Sequence, residues 1–270
     1  MGTFNPKSRL SAGVPAESCH AALPPPLRAT TQTAPMNAGW LGNFRARPSA
    51  TLSNARYASM ADGYDRSCHH ILPLRALAID LLDPQPGETV VDVACGTGQA
   101  TLAMARRAGR SARIVGFEQS PQMLQIAERQ RQRSGIDNLQ FVNAAMADAS
   151  LPVPADALLM SYTHDVLQDP AAIEALLRIA RPGARYVVLG MRTLPWLWGW
   201  PVNLFVLWRA RRYMTTMRQL AKPWRLLEAV STDFQLIGTW HAGTSYLASG
   251  RLRERPPAST AQADERGAQP

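Results

Sequence analysis

The sequence predicts an α/β domain: a doubly wound, mostly parallel sheet completed by a C-terminal antiparallel strand pair. Three observations predict it. Short apolar runs alternate with amphipathic stretches from Thr89 to Met191. A glycine turn, Gly96-Thr97-Gly98, joins the first apolar run to the first helical stretch. An acid, Glu118, ends the second apolar run. Alternation of this kind folds into parallel strands with crossover helices, and ligands then lie beyond the carboxyl ends of the strands.

Residues 1–50 are rich in Pro, Ala, Ser and Thr and hold one acid, Glu17; Pro24-Pro25-Pro26 blocks a helix. They are expected to form a disordered N-terminal extension. A basic transit segment, or a start at Met36 or Met60, are alternative accounts of the same composition. The domain itself is expected over 51–250. Residues 51–83 carry a helical pattern in two pieces, and Leu74, Leu77, Ala78, Leu81 and Leu82 recur at a spacing that packs on a sheet. Pro84-Gln85-Pro86-Gly87 stops that helix. The alternation then predicts strand 89–94, helix 99–108, strand 113–118, helix 121–133, strands 139–143 and 156–161, helix 170–180 and strand 184–191. Ser120-Pro121 starts the helix at 121, because the hydroxyl caps it and proline presets its first φ. Residues 194–230 form a lid-like insertion rich in Trp and Arg. The tryptophans at 196, 198 and 200 have period two, so a clean amphipathic helix is expected only from about Asn203. Phe234–Trp240 and Thr244–Ala248 read as strands around His241-Ala242-Gly243, and 251–270 as a disordered tail.

Hydrophobic residues make up 46% of 270 positions, enough for a real core. No apolar run reaches the ~18–20 residues that cross a bilayer; the longest, Leu194–Trp208, is interrupted by Pro195, Gly199, Pro201 and Asn203. Cys19, Cys68 and Cys95 are odd in number and scattered, which is no disulfide framework and fits a reducing cytoplasm. Cys68-His69-His70 cannot converge on one tetrahedral ion, so no metal is expected. The formal charge of +9 raises the prior for anionic partners. From Arg192 to Leu227 there are seven basic residues and no acid.

Gly96 and Gly98 lack Cβ atoms, so backbone N–H groups there are able to approach a bulky cofactor. Asp92, in an otherwise apolar strand, is expected to hydrogen-bond to the loop or to a ligand. Glu118 lies 20 residues after Gly98, where an acid accepts hydrogen bonds from ribose hydroxyls. Dinucleotides and adenosine-type cofactors both use this arrangement. The dinucleotide fingerprint wants Gly or Ala where Thr101 stands.

Three strings in order decide between them: Val91-Asp92-Val93-Ala94-Cys95-Gly96-Thr97-Gly98, Gly116-Phe117-Glu118-Gln119-Ser120-Pro121-Gln122-Met123-Leu124, and Leu177-Arg178-Ile179-Ala180-Arg181-Pro182-Gly183. Over roughly Tyr57 to Met191 the chain resembles the class I S-adenosylmethionine-dependent methyltransferases of Rossmann-like fold, in particular the small-molecule enzymes. The resemblance implies S-adenosyl-L-methionine as cofactor, held by Asp92, Ala94, Cys95, Gly96, Gly98, Glu118, Gln119, Met123 and Ser161, with Tyr64 closing over the methionine moiety. It places Asp148 on the adenine amino group and Met146 or Ala147 against the ring. Ser161-Tyr162-Thr163-His164-Asp165 follows the fourth strand, the position that faces the transferable methyl in the resembled family. His164 is then a candidate general base, with shaping of the pocket as its alternative, and Tyr162 a candidate lining residue.

The function expected is methyl transfer to a small, lipophilic or aromatic acceptor. An RNA methyltransferase is the runner-up, favoured by charge. Against it, Ser-Tyr-Thr-His stands where base-flipping enzymes carry Asn/Asp-Pro-Pro-Tyr/Phe, so nucleic acid is not the expected partner. A non-catalytic S-adenosylmethionine-binding regulator is the third reading, and an NAD-dependent oxidoreductase a weak fourth. The Trp/Arg segment, 194–225, is a lid over an apolar acceptor, a peripheral membrane contact for an otherwise cytoplasmic protein, or core indoles beside solvated arginines.

Overall fold

Capping residues, prolines and left-handed turns set where the elements begin and end. The computed structural model describes residues 46–254, and the extension and tail expected outside that range lie outside the described residues. Helix α1 (Ala50–Met60) starts at Ser49, whose hydroxyl accepts the Leu52 N–H. A short α2 (Tyr64–Ser67) leads to α3 (Leu72–Leu82), which ends on Asp83 at φ 47° because Pro84 disfavours helix in the residue before it. Leu74, Ala78, Ile79 and Leu82 form the buried stripe of α3. Leu77 and Leu81, expected to pack on the sheet, lie beyond that stripe's edge and stay 41% and 39% exposed.

The alternating part follows as β1 (Thr89–Val93), α4 (Gln99–Ala108), β2 (Arg113–Glu118), α5 (Pro121–Ser134), β3 (Leu139–Asn143), β4 (Ala155–Ser161), α6 (His164–Leu167), α7 (Pro170–Ile179) and β5 (Ala180–Met191). Then come α8 (Trp196–Ala210), α9 (Arg225–Ala229), β6 (Ser231–Trp240) and β7 (Ser245–Leu252). Among the described residues seven strands form one sheet in the order β3-β2-β1-β4-β5-β7-β6. β1 to β5 pair in parallel, while β7 runs antiparallel to both β5 and β6. The order turns around between β1 and β4. The switch point therefore lies at their carboxyl ends, where a crevice opens in sheets of this type.

Both faces of the sheet are covered. On one, Leu158, Met160, Tyr186 and Val188 pack with α7 and with Trp224; on the other, Val90, Ile114, Leu159 and Leu189 pack under α3 and α4. The inner strands are buried on both sides, which is why their sequences read as continuous apolar runs.

One segment departs from the sequence reading. Residues 196–200 are not extended. α8 already begins at Trp196 and carries Pro201 inside it. Buried Asn203 folds back, accepting the Leu194 N–H (2.8 Å) and donating to the Leu194 carbonyl (2.9 Å). Trp196, Trp198 and Trp200 are all exposed, so their period of two marks no buried strand face.

The two glycines of the turn after β1 do different work. A Cβ on Gly98 (φ 79°) would lie 2.6 Å from Phe141 Cζ and 3.0 Å from Ala127 Cβ. On Gly96 (φ 58°) the nearest atom would be 3.8 Å away. Gly98→Ala is expected to lower stability by about 2–4 kcal/mol, left-handed strain and overpacking together, and Gly96→Ala by only about 1–2 kcal/mol. Urea denaturation of both variants checks the ranking; equal losses would contradict it.

Candidate active site

The site is assembled from the tips of β1, β2 and β4 and from the helices that cover them. Two buried carboxylates hold its frame. Asp92, near the end of β1, accepts the Thr101 hydroxyl of α4 at 2.6 Å. Burial raises its pKa to about 6, with Thr101 and the Arg75 charge opposing. Glu118, at the tip of β2, accepts the Gly96 N–H (3.0 Å) on one oxygen and the Ser120 N–H (2.8 Å) on the other. Burial pushes its pKa up, while those N–H groups and that of Gln119 pull it down.

A cavity of about 70 Å³ opens beside Glu118 and is walled by Tyr64, Ala94, Gly96, Gln119, Met123, Ser161, Tyr162 and His164 among others. A second cavity, about 110 Å³, lies against it and has Cys68, His70, Ile71, Leu167, Met191, Arg209, Ala210 and Tyr246 in its wall. Tyr57, Tyr64, Tyr162, Thr163, His164, Tyr213 and Met214 line both, so the two are lobes joined at those residues. Edge-to-face contacts link Tyr57 to Tyr64 (5.8 Å) and Tyr64 to Tyr213 (6.2 Å). Asp65 accepts from Thr97 (2.6 Å) and Gln130 (3.1 Å), which pins α2 to the glycine turn and to α5 and sets Tyr64 beside Gly96.

Two of the seven non-glycine residues with left-handed backbone among the described residues stand here. Ala94 (φ 51°) and Tyr162 (φ 59°) take left-handed backbone at the tips of β1 and β4. Such outliers cluster at ligand sites because the surrounding fold has to enforce them. Ala94 stands where the resembled family carries glycine.

His164 sits at the junction, 6% exposed, and neither ring nitrogen has a hydrogen-bond partner. The Thr163 hydroxyl is also buried without a partner. Burial lowers the His164 pKa to about 4, with the Arg218 backbone opposing from outside hydrogen-bond geometry, so the ring is neutral at pH 7. Its neighbour Asp165 does not orient it. That carboxylate accepts the N–H (2.8 Å) and hydroxyl (2.6 Å) of Thr215 and the N–H of Thr216 (3.3 Å), and so anchors the segment after α8. Tyr162 hydrogen-bonds Ser245 (3.2 Å), which in turn meets His241 Nδ1 (2.9 Å).

Several sequence-predicted residues stand elsewhere. Asp92 lies behind the turn, its carboxylate engaged by Thr101. Cys95 turns its sulfur toward Gly116, and Gly98 packs against Phe141 and Ala127; neither walls the cavity. Met146 is buried in the core, the Ala147 carbonyl accepts from Arg178 (3.0 Å), and Asp148 is exposed. The turn after β3 carries these three to the α7 side of the sheet, away from both lobes. Conversely, Cys68 and His70, read as ordinary helix residues, reach the second lobe, as do Arg209, Tyr213 and Tyr246. No local pattern marks those five, because they come from the turn between α2 and α3, from the end of α8 and the residues just after it, and from β7, and meet only in three dimensions. Thr101, which breaks the dinucleotide fingerprint, is the partner of Asp92.

Asp92 and His164 act oppositely on stability. Between pH 4 and 6 folded Asp92 keeps a proton that the unfolded chain has released, so its contribution falls as pH rises. Between pH 4 and 6.5 the unfolded chain protonates a histidine that the fold keeps neutral, so the His164 contribution rises with pH. Each amounts to roughly 3 kcal/mol over its window. Relative to wild type, Asp92→Asn should therefore gain stability as pH rises from 4 to 6, and His164→Gln should lose it from 4 to 6.5. Denaturant titrations across that range check both signs, and parallel curves would refute the assignment.

A family model for a methyltransferase domain matches residues 84–234. The 2-phytyl-1,4-naphthoquinone methyltransferase of Thermosynechococcus vestitus is 31% identical over 149 residues, 52% of this chain and 64% of its own length. The 23S rRNA (uracil(1939)-C(5))-methyltransferase RlmD of Alcanivorax borkumensis is 35% identical over 115 residues, 42% of this chain and 24% of its own length. The chain thus spans less than two thirds of either relative. Among solved structures, the YcgJ protein from Bacillus subtilis has a TM-score of 0.55 at 16% identity, covering 69% of this chain and 100% of that one. The cyclase SpnF has a TM-score of 0.58 at 16% identity, covering 77% and 98%. Likeness at that level is likeness of fold, and a fold shared with a cyclase does not by itself specify the reaction. The family is settled instead by the sequence match, which takes in more than half of the chain: this protein belongs to the methyltransferase-domain family.

Proposed function

We propose that the protein is an S-adenosylmethionine-dependent methyltransferase acting on a small, lipophilic or aromatic acceptor. The observation that carries the reading is the joined pair of lobes. One is built on Gly96 and Glu118, the other has an apolar and phenolic wall, and a partnerless His164 stands between them. The donor lobe fits a nucleoside. Glu118 has lone pairs beyond the two already used and stands at the β2 tip, where ribose hydroxyls are met. Gly96 presents backbone without a side chain, and Met123 and Tyr64 offer apolar surface beside it. When bound, this cofactor would supply a methyl group on a sulfonium: the acceptor atom bonds to the methyl carbon as the carbon–sulfur bond breaks, and S-adenosylhomocysteine is the leaving group.

The chain's own residues then have three tasks. Glu118, Gly96 and Ser161 hold the donor. The tyrosines at the junction keep water out and hold the two reactants near each other, and positioning of this kind lowers a barrier by several kcal/mol. His164 and Thr163 present unpaired polar atoms to the acceptor. A neutral imidazole accepts a hydrogen bond from an acceptor O–H and so holds that oxygen toward the methyl; with its pKa lowered to about 4, His164 acts here as a positioning group and not as a strong base. The relatives named for phytylnaphthoquinone support a lipophilic aromatic acceptor.

In calorimetry, S-adenosylhomocysteine should bind, NAD should not, and Glu118→Ala should weaken S-adenosylhomocysteine at least tenfold, about 1.4 kcal/mol. Unchanged affinity in the variant would remove Glu118 from the site. Transfer of labelled methyl to a panel of quinols and phenols, rather than to ribosomal RNA, tests the acceptor class.

A further inference from the structure

α8 is amphipathic in the inverted sense. Its buried side is made of Gly199, Asn203, Val206, Leu207 and Ala210. Its outer side carries Trp196, Trp198, Trp200, Phe205 and Trp208, each between 53% and 64% exposed, and Leu197 at 94%. An indole leaves its apolar body in water only at a free-energy cost, and five large aromatics together on one helix make a patch that ordinary surfaces lack. At 1.5 Å per residue the patch runs about 18 Å, from Trp196 to Trp208. No helix among the described residues is long and apolar enough to cross a membrane, and this one is interrupted by Pro201.

Charge indicates what covers it. From Arg192 to Leu227 there are seven basic residues and no acid. Arg209, Arg211 and Arg212 follow the aromatic stretch directly and are exposed. The Arg211 guanidinium lies 5.7 Å from the Trp208 ring centroid, and Phe205 lies 6.2 Å from Trp208. Indole and phenyl groups bordered by arginines suit the boundary between acyl chains and anionic headgroups. Lys222 is paired with Glu228 at 2.5 Å, but Arg209, Arg211 and Arg212 are exposed beside the aromatics, and this local positive charge selects an acidic surface over an uncharged protein partner of matching shape.

We propose that the outer face of α8 docks the protein on an anionic lipid bilayer, lying in the interface without spanning it. The position of α8 gives docking a use. Arg209 and Ala210, at the end of the same helix, wall the apolar lobe. The docked face therefore sits next to the lobe, and a lipid-soluble acceptor has a short path into it. That use rests on the proposed methyl transfer; the docking does not.

Flotation of the full-length protein with phosphatidylcholine vesicles, alone or mixed with phosphatidylglycerol, tests it. Binding is expected only with the anionic lipid, weakening with salt and accompanied by a blue shift of tryptophan emission. Trp196→Ser/Trp198→Ser/Trp200→Ser should abolish flotation, and Arg211→Glu/Arg212→Glu should weaken it at least tenfold, with S-adenosylhomocysteine affinity unchanged in both as the control for folding. Equal binding to both lipid mixtures, no binding at all, or a dimer that buries α8 and ignores vesicles would each overturn the proposal. Loss of S-adenosylhomocysteine binding in wild type with flotation intact would instead remove the methyltransferase reading alone.

Discussion

The site depends on one carboxylate. Glu118 ends β2, yet its two oxygens reach the N–H of Gly96 after β1 and that of Ser120 at the start of α5. A buried acid is costly without donors and stable with them. Here the donors are backbone groups of two turns, so satisfying the charge also fixes the distance between two strand tips. The turn after β1 is held against the β2 tip by that carboxylate, and Ser120, held by it, accepts the Met123 N–H and starts the helix that brings Met123 into the cavity.

Asp92 has a different role in the same frame. Its partner is the hydroxyl of Thr101, on the helix that follows the glycine turn, so the turn is gripped from behind by Asp92 and from the front by Glu118. Gly98 lets α4 settle against Phe141 and Ala127, and Gly96 leaves open space facing the cavity. Division of labour between two glycines two residues apart explains how one short turn is both tightly packed and able to receive a ligand.

Among the described residues few buried side-chain polar atoms lack a partner, and three of them, the Thr163 hydroxyl and both His164 nitrogens, lie where the lobes meet. Tyr57 donates to the Tyr213 carbonyl (3.1 Å) and Asp165 is spent on Thr215 and Thr216, so the segment after α8 is tied down from two sides. His164 and Thr163 are left without partners in the middle of that otherwise satisfied network. α8 shows the opposite imbalance, apolar groups left in solvent, and begins where Asn203 locks the chain at Leu194.

Local sequence sufficed for the parallel core, because strands buried on both faces are apolar throughout and proline or glycine marks their ends. Glu118 and Gly96 were legible as well, because each stands at the end of an apolar run, in two successive strand-turn-helix units whose turns the carboxylate joins. Period misled at Trp196-Leu197-Trp198, since periodicity reports a face only when that face is buried. At Met146-Ala147-Asp148 spacing alone did not show that the turn packs on α7, since a turn's direction is settled by what it packs on. The wall of the second lobe, from Tyr57, Cys68 and His70 through Arg209 and Tyr213 to Tyr246, belongs to residues up to 189 positions apart in the chain (57 to 246). Side chains so distant meet only after β7 has paired with β5 and the segment after α8 has closed over the strand tips. The turn around Gly96 and Glu118 was therefore written in short stretches of sequence, while the wall of the second lobe was decided by packing.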